Sequence, residues 1–234
     1  MQVNYFSIFI HFFIFFKFRT GLQSPININK SYKPEEVKLM INFKPPTGKI
    51  TYMNDGIKLI FRADSFGSIT HGVHQYDAKF IEIHHPSEHT FGDDEVRSPL
   101  EFQVICQDIF GNTAAVSILF KLDTKENEFL SILGFGVDNP LFALNLRNNE
   151  TITFDEKLFS KKLDLGKYVN STIHYVTYMG SLTSPPCTQH VQWFVLLQKM
   201  SVTQTQLEYF PVLFGREDNV RGLQPLNNRP LKII

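Results

Sequence analysis

The feature that most limits the fold of this chain is a series of short apolar segments interrupted by Asn, Asp, Gly and Pro. After Gly21, β-branched and aromatic residues recur between these turn-forming residues, a pattern typical of β-strands. The predicted strands are 49–52, 57–61, 79–84, 100–107, 113–121, 171–179 and 190–199. The segments NTAAVSILFKL and HVQWFVLLQK contain too few polar positions for half-exposed strands, so we expect sheet neighbours to cover both their faces.

Helix signals are few and local. Ser201 or Thr203 can cap the segment SVTQTQLEYF, which Pro211 is expected to interrupt, and Asp155 can cap DEKLFSKKLDL. No internal repeat, low-complexity tract or linker divides residues 21–234. We therefore predict a mainly β (α+β) single domain over 21–234, with one large sheet and short peripheral helices.

The net charge and the first twenty residues bear on the binding partners and the cellular location of the protein. Lys plus Arg and Asp plus Glu both total 23, so the basic excess that binds nucleic acid is missing. The apolar run 5–16 is shorter than the roughly 20 residues of a membrane-spanning helix, and no span is expected. Residues 1–20 are then either a signal-like leader, implying a secreted, cell-surface or endomembrane location, or a mis-assigned start of an intracellular protein.

Several segments together resemble one known family. They are GLQSPINI at 21–28, PSEHT at 86–90, PLEFQVI at 99–105, YMGSLTSPPC at 178–187 and LQPLNNR at 223–229. In order and approximate spacing, over about residues 21–231, they are similar to the α-class carbonic anhydrases. The resemblance implies a central, largely antiparallel twisted sheet with a conical cleft. At its base, three histidines of the family hold zinc, whose bound hydroxide attacks carbon dioxide.

The zinc-ligand positions of the family fall on Glu82, His84 and Gln103. The second ligand precedes the PSEH segment by one intervening residue, and the third follows the glutamate of PLE by two residues. Only His84 therefore matches. Side chains two apart on a strand share a face, so Glu82 and His84 point the same way while His85 points away. His89 falls on a structural, hydrogen-bonded position of the family.

Two interpretations of these positions remain. In one, Glu82, His84 and Gln103 form a weak metal site, with Glu101 holding the Gln103 amide nitrogen. Three neutral imidazoles leave zinc enough charge to bring the pKa of its water to about 7, whereas a carboxylate ligand raises that pKa. In the other, Glu82 accepts hydrogen bonds from Gln103 or His84 and closes a metal-free cluster. We adopt the metal-free interpretation, so zinc is a doubtful cofactor.

Other positions of the family's catalytic apparatus are retained or lost as follows. Thr183 matches the residue that orients the hydroxide, and Glu88 the carboxylate that orients Thr183. The apolar substrate pocket falls on Ile105, Leu182 and Trp193. The proton-shuttle position holds Ile57, and His71 and His74 are expected in a solvated loop.

The two cysteines receive different interpretations. Cys106 lies in the apolar run FQVIC and is expected to be a buried, inert hydrophobe. Cys187 matches a position that secreted family members pair with a cysteine before the QSPI segment. That cysteine is missing here. Cys187 is then either a free thiol or the partner of a residue supplied by another N-terminus.

These observations lead to one functional hypothesis and two alternatives. We interpret the chain as a carbonic anhydrase-related protein that retains the fold, has a degenerate zinc site and serves as a non-catalytic module for an unidentified protein or small-molecule partner. The first alternative is a weak zinc-dependent carbonate dehydratase. The second is a structural subunit of a larger assembly.

Overall fold

The computed structural model describes residues 21–29, 32–136, 146, 149–154, 157 and 163–234. Its strands, in chain order, are β1 (Asn27–Ile28), β2 (Tyr32–Pro34), β3 (Leu39–Thr47), β4 (Ile50–Asn54), β5 (Leu59–Arg62), β6 (Ser65–His71), β7 (His74–His84), β8 (Thr90–Phe91), β9 (Val96–Arg97), β10 (Glu101–Gln107), β11 (Thr113–Leu122), β12 (Glu150–Phe154), β13 (Tyr175–Ser181), β14 (Gln189–Leu196), β15 (Met200–Val202) and β16 (Leu231–Ile233). The predicted strands are all present, with ends shifted by a few residues.

One large sheet organises the molecule. Its main path runs β12-β4-β5-β7-β10-β11-β14-β13-β16-β2, with β6 and β3 added beside β7 and β15 beside β11. Pairs along this path are antiparallel except β11 with β14 and β16 with β2. Strands β1, β8 and β9 form a separate small sheet. The predicted mainly β domain with a largely antiparallel sheet is confirmed.

The centre of the sheet is covered on both faces. Strand β11 is buried over most of its length, as its continuous apolar sequence predicts. On β10, one face packs in the larger hydrophobic cluster through Phe102, Val104 and Cys106. The opposite face carries Ile105, which belongs to a smaller cluster around Trp193. Glu101 and Gln103 lie on the face of Ile105 because side chains alternate along a strand. Polar side chains are thereby placed beside an apolar cluster.

Two of the strands that the prediction lacks, β3 and β6, lie in the hairpin system beside β7. Strand β3 contains Pro45 and Pro46, residues that argue against an interior strand. Among the described strands β3 pairs only with β6, and its register shifts between Phe43 and Thr47, where the prolines lie. At this edge a missing N–H costs no ladder hydrogen bond. Neighbouring His71 and His74 pair across a hairpin turn instead of lying in a loop.

The helical segments are short. They are Glu128–Leu130, which continues into a π-type turn at Ser131–Phe135, a 3₁₀ turn at Leu165–Lys167, and the α-helices Gln204–Leu207 and Tyr209–Phe214. In the described residues, none of them has both the length and the apolarity that crossing a membrane requires. The helix predicted after Asp155 falls largely on residues outside the described ranges.

Thr203, one of the two predicted caps, begins the penultimate helix. Its hydroxyl accepts a hydrogen bond from the Gln206 N–H at 3.2 Å, and the Gln206 side chain accepts from the Thr203 N–H at 3.3 Å. This reciprocal pair is a capping box. The prediction that Pro211 interrupts the segment is wrong. Pro211 lies in the first turn of Tyr209–Phe214, where a proline's missing N–H breaks no intrahelical bond.

Both cysteines are buried and unpaired in the described part of the chain. Cys106 lies in the larger hydrophobic cluster, which confirms its interpretation as a core residue. Burial raises the pKa of its thiol far above the ordinary value, so Cys106 is an inert thiol. The Cys187 thiol lies 4.0 Å from the Thr183 carbonyl oxygen.

Candidate functional site

The sheet register brings the candidate ligand positions onto one face. Glu82 on β7 lies opposite Gln103 on β10, and His84 lies opposite Glu101. On the other side of β10, Ser117 of β11 lies opposite Gln103. Since residues two apart share a face, these side chains converge on one patch of the sheet. All of these residues are buried, and the most exposed of them, Glu82, is only 3% exposed.

A lysine that sequence analysis did not select completes this patch. Ile60 of β5 pairs with Glu82, so two positions earlier the Lys58 side chain emerges on the same face. Its Nζ forms an ion pair with Glu82 and donates to Ser184 Oγ at 2.8 Å. The Lys58 side chain is 12% exposed and that of Glu82 is 4% exposed. The pair is therefore largely removed from water. We refer to the following residues as the polar cluster: Lys58, Glu82, His84, Glu88, Glu101, Gln103 and Thr183.

Gln103 is held in one orientation by its neighbours. Its amide nitrogen donates to Glu88 Oε2 at 2.8 Å and to Glu101 Oε1 at 3.2 Å. Its amide oxygen accepts from the Thr183 hydroxyl at 3.3 Å. Glu101 thus holds the amide nitrogen, as expected. The expected hydrogen bond from Gln103 to Glu82 is not formed. Glu82 pairs with the Lys58 ammonium, a stronger partner for a carboxylate than a neutral amide.

In the part of the chain that the structure describes, Gln103 connects Glu88 with Thr183. Glu88 Oε1 accepts from the backbone N–H of Arg221 at 2.8 Å, and its Oε2 accepts from Gln103. In the described residues, the hydrogen bond between Thr183 and Glu88 that the family resemblance implies is not present. The physical reason is the substitution itself: the Gln103 amide offers hydrogens to Glu88 and an oxygen to Thr183, and so takes both partners.

His84 is buried and positively charged at neutral pH. Its Nδ1 lies 3.3 Å from the carbonyl oxygen of Asn219, which can only accept, so Nδ1 carries a proton. Its Nε2 lies 3.9 Å from Glu82 Oε2, beyond hydrogen-bonding distance, and has no other partner among the described residues. Burial alone would lower the pKa of His84, but the carboxylates of Glu88 and Glu82 outweigh it and raise the pKa to about 9.

Glu82 is charged as well. Burial alone would raise the pKa of its carboxyl group, but neighbouring His84 and Lys58 outweigh this effect and lower the pKa below the ordinary value. The carboxylate therefore lies between two cationic groups, the Lys58 ammonium and the His84 imidazolium.

Glu101 is the most heavily hydrogen-bonded carboxylate of the polar cluster. Its Oε2 accepts from the backbone N–H groups of Glu88 at 2.7 Å and His89 at 2.9 Å. Its Oε1 accepts from Ser117 Oγ at 2.7 Å, in addition to Gln103. Burial alone would raise the pKa of Glu101. The contacts with His89 and the charge of nearby His84 reverse this effect and lower the pKa to about 2.

A buried hydrogen-bond chain joins four of the family-like sequence segments. Ser24 Oγ lies 2.8 Å from the Tyr178 hydroxyl, which lies 2.7 Å from His89 Nε2. His89 Nδ1 in turn lies 2.7 Å from Glu101 Oε1. Because a carboxylate accepts, His89 Nδ1 donates to Glu101. Segments far apart in the sequence thus lock together on the carboxylate that positions Gln103.

The remaining predicted positions lie beside the polar cluster. Trp193 is fully buried and donates from Nε1 to the Ser181 carbonyl at 2.9 Å, while Ile105 lies in the same apolar cluster. Half-buried Leu182 packs against that cluster. Ile57, at the shuttle position, is 49% exposed and offers no titratable group.

His85 lies outside the polar cluster. Its Nδ1 is 2.8 Å from the Pro99 carbonyl oxygen, and its ring stacks on Phe210 at 5.8 Å. Strand alternation places it on the face opposite to that of His84, as the sequence predicts.

The polar cluster does not fit a catalytic zinc ion. Its three candidate donors are one imidazole, one carboxylate and one amide oxygen, a poor set beside three imidazoles. The Glu82 carboxylate is already paired with Lys58, and an ammonium group repels a divalent cation. Among the described residues, no group of three or more His, Cys, Asp and Glu side chains is arranged for a metal.

Comparisons with known proteins agree with this fold. The family model described as "Eukaryotic-type carbonic anhydrase" matches residues 17–233. Alpha carbonic anhydrase 2 of Arabidopsis thaliana is 30% identical over 178 residues, covering 75% of this chain and 67% of that protein. Dioscorin dioA3 of Dioscorea japonica is 26% identical over 212 residues, covering 88% and 73%.

Two solved structures at 26% identity extend the comparison. A hyperthermostable carbonic anhydrase identified from an active hydrothermal vent chimney superposes with a TM-score of 0.74, covering 92% of this chain and 88% of its own. A dioscorin complexed with ascorbate superposes with a TM-score of 0.73, covering 92% and 87%.

Proposed function

Because the chain belongs to the eukaryotic-type carbonic anhydrase family, we propose that it is a member in which a metal-free ion pair takes the place of the zinc site. In this proposal the protein is a non-catalytic binding module. The observation that carries the proposal is the buried pair of Lys58 and Glu82, with Glu82 at the first ligand position.

Charge supports a metal-free state. Lys58 and the protonated His84 place two positive charges around the Glu82 carboxylate, which is thereby compensated without a metal. Zinc bound here would have to displace the Lys58 ammonium from Glu82 and a proton from the His84 imidazole. Metal ligands must be deprotonated, so the raised pKa of His84 works against binding. The retained Thr183 and Glu88 are then residues of a packed hydrogen-bond network.

A small organic acid is the ligand class that we propose for the module. Among the described residues the buried His84 Nε2–H has no hydrogen-bond partner, and the partly exposed Lys58 lies on the other side of Glu82, so a ligand oxygen that enters the cluster would meet two cationic donors. The similar dioscorin structure is a complex with ascorbate, which is a small organic acid. Ascorbate should raise the melting temperature of the protein and lose this effect in His84→Phe, whereas an uncharged sugar should have no effect.

Metal analysis and a hydration assay test the central proposal. The protein, purified from zinc-supplemented medium, should contain far less than one zinc per chain and should not accelerate carbon dioxide hydration above buffer. A family enzyme with three zinc histidines, purified in parallel, is the positive control. Stoichiometric zinc together with acetazolamide-sensitive hydration would overturn the proposal.

A weak zinc-dependent carbonate dehydratase is the second candidate. The names of the similar proteins favour it, since several are called carbonic anhydrases. It predicts zinc at Glu82, His84 and Gln103, and slow hydration that disappears on chelation. Hydration that survives chelation and the loss of His84 would point to a contaminant and would not support this candidate.

A further inference from the structure

We infer that Lys58 is the residue that keeps divalent cations out of the polar cluster, and that its removal converts Glu82, His84 and Gln103 into a divalent-cation site. The inference rests on the proposed metal-free state of the protein. It assigns the selectivity of the site to a lysine outside the family's ligand positions.

Lys58 lies across the patch where a cation would sit. Its Nζ contacts Glu82 on β7 and, at 2.8 Å, the hydroxyl of Ser184 in the loop after β13. Ser184 directly follows Thr183, whose hydroxyl donates to Gln103 Oε1. The ammonium thus bridges the strand and the loop that enclose the donor atoms, and supplies the positive charge to Glu82 that a metal would supply.

His84 is already oriented as a ligand. Its Nδ1 faces the Asn219 carbonyl oxygen, the kind of outer hydrogen bond that fixes the ring of a metal-binding histidine. Its Nε2 points toward Glu82 and has no hydrogen-bond partner in the ranges that the structure describes, although the residue is only 2% exposed. In the described residues, this nitrogen is therefore a buried polar atom whose hydrogen-bonding capacity is not satisfied.

The amide oxygen of Gln103 is held in place by residues other than Lys58. Glu88 and Glu101 take the amide nitrogen of Gln103, so its oxygen is turned toward Thr183 and away from those carboxylates. These contacts do not involve Lys58, so they persist when it is removed. Loss of Lys58 then leaves the Glu82 carboxylate with the His84 imidazolium as its cationic neighbour, and this ring must release its proton to bind metal.

Zinc titration of the full chain tests the inference. In Lys58→Ala, isothermal titration calorimetry should show one zinc site with at least about tenfold higher affinity than wild type, equivalent to about 1.4 kcal/mol. Lys79→Ala is the matched control, because Lys79 is a surface lysine paired with Asp77, and it should bind as wild type does. Adding Glu82→Gln to Lys58→Ala should remove the gain.

The outcomes separate this inference from the proposed function. Stoichiometric zinc in the wild type contradicts the proposed function. The inference alone is overturned if the wild type is metal-free and a folded Lys58→Ala or Lys58→Ser variant gains no zinc affinity. An equal gain of zinc affinity in Lys79→Ala also overturns it. If both Lys58 variants are unfolded without metal, zinc added during refolding must restore the native circular dichroism spectrum, and failure to do so also overturns the inference.

Discussion

Glu101 should supply a large share of the stability of the site, and its replacement by Gln tests this. Glu101 is fully buried, and its carboxylate accepts from two backbone N–H groups and from the side chains of His89, Ser117 and Gln103. A pKa lowered from 4.5 to about 2 corresponds to about 3 kcal/mol of stability at neutral pH. Glu101→Gln should cost at least this much, because its amide would turn two hydrogens toward existing donors.

The pH dependence has a defined sign. A carboxylate whose pKa is lower in the folded state stabilises the protein fully above the unfolded value of 4.5, and the contribution is lost as pH falls toward about 2. The gap in unfolding free energy between wild type and Glu101→Gln should therefore be largest near pH 7 and narrow below pH 4.5. Urea unfolding followed by the fluorescence of Trp193, the one tryptophan in the sequence, measures this gap.

A surface variant calibrates the experiment. Glu217→Gln replaces an exposed glutamate and should change the unfolding free energy by less than about 0.5 kcal/mol at any pH. If Glu101→Gln lies within about 1 kcal/mol of wild type at pH 7, the hydrogen bonds to Glu101 stabilise the fold less than its lowered pKa implies. A gap that stays constant down to pH 3 would show that the loss does not come from the carboxylate charge.

Three further predictions concern the polar cluster and the apolar cluster beside it. Lys58→Met should lower the unfolding free energy by about 3 kcal/mol, because the buried Glu82 carboxylate loses its ammonium partner and keeps only the more distant His84 imidazolium as a cationic neighbour in the described residues. Adding Glu82→Gln should recover most of the loss, and an unchanged urea midpoint in the single variant would contradict this. His84 should be an imidazolium at pH 7 by ¹⁵N NMR and titrate near pH 9. Its contribution to stability should be complete below pH 6.5 and should be lost as pH rises through about 9. A neutral ring at pH 7 would refute the assignment. Trp193→Ala should cost about 3–5 kcal/mol in chemical unfolding, since Trp193 is fully buried, and a cost below 1 kcal/mol would contradict the packing described.

The strand pattern and the family segments were readable in the sequence. Alternating or continuous apolar runs predicted the sheet core, and the continuous run of β11 correctly indicated a strand covered on both faces. The same reasoning did not find β3, whose prolines are tolerated at a sheet edge, and whether a strand lies at an edge depends on its neighbours. Pro211 misled this reasoning, since its effect depends on where a helix begins.

The partners of the candidate ligands were only partly predictable. The role of Glu101 toward Gln103 follows from positions two apart on one strand, which sequence spacing encodes. The pairing of Glu82 with Lys58 depends on the register between β5 and β7, and Lys58 is separated from Glu82 by the whole β6–β7 hairpin. No local periodicity carries that information.

By itself, the sequence determined the type of fold, the family to which the chain belongs, and the chemical identity of the side chains at the ligand positions. Only the tertiary structure decided what those side chains do. It paired the Lys58 ammonium with Glu82, gave the His84 Nε2 no partner among the described residues, and inserted the Gln103 amide between Glu88 and Thr183. The physical reason is that periodicity fixes which way a side chain points, whereas charge compensation and hydrogen bonding in a buried site depend on strands brought together from distant parts of the chain.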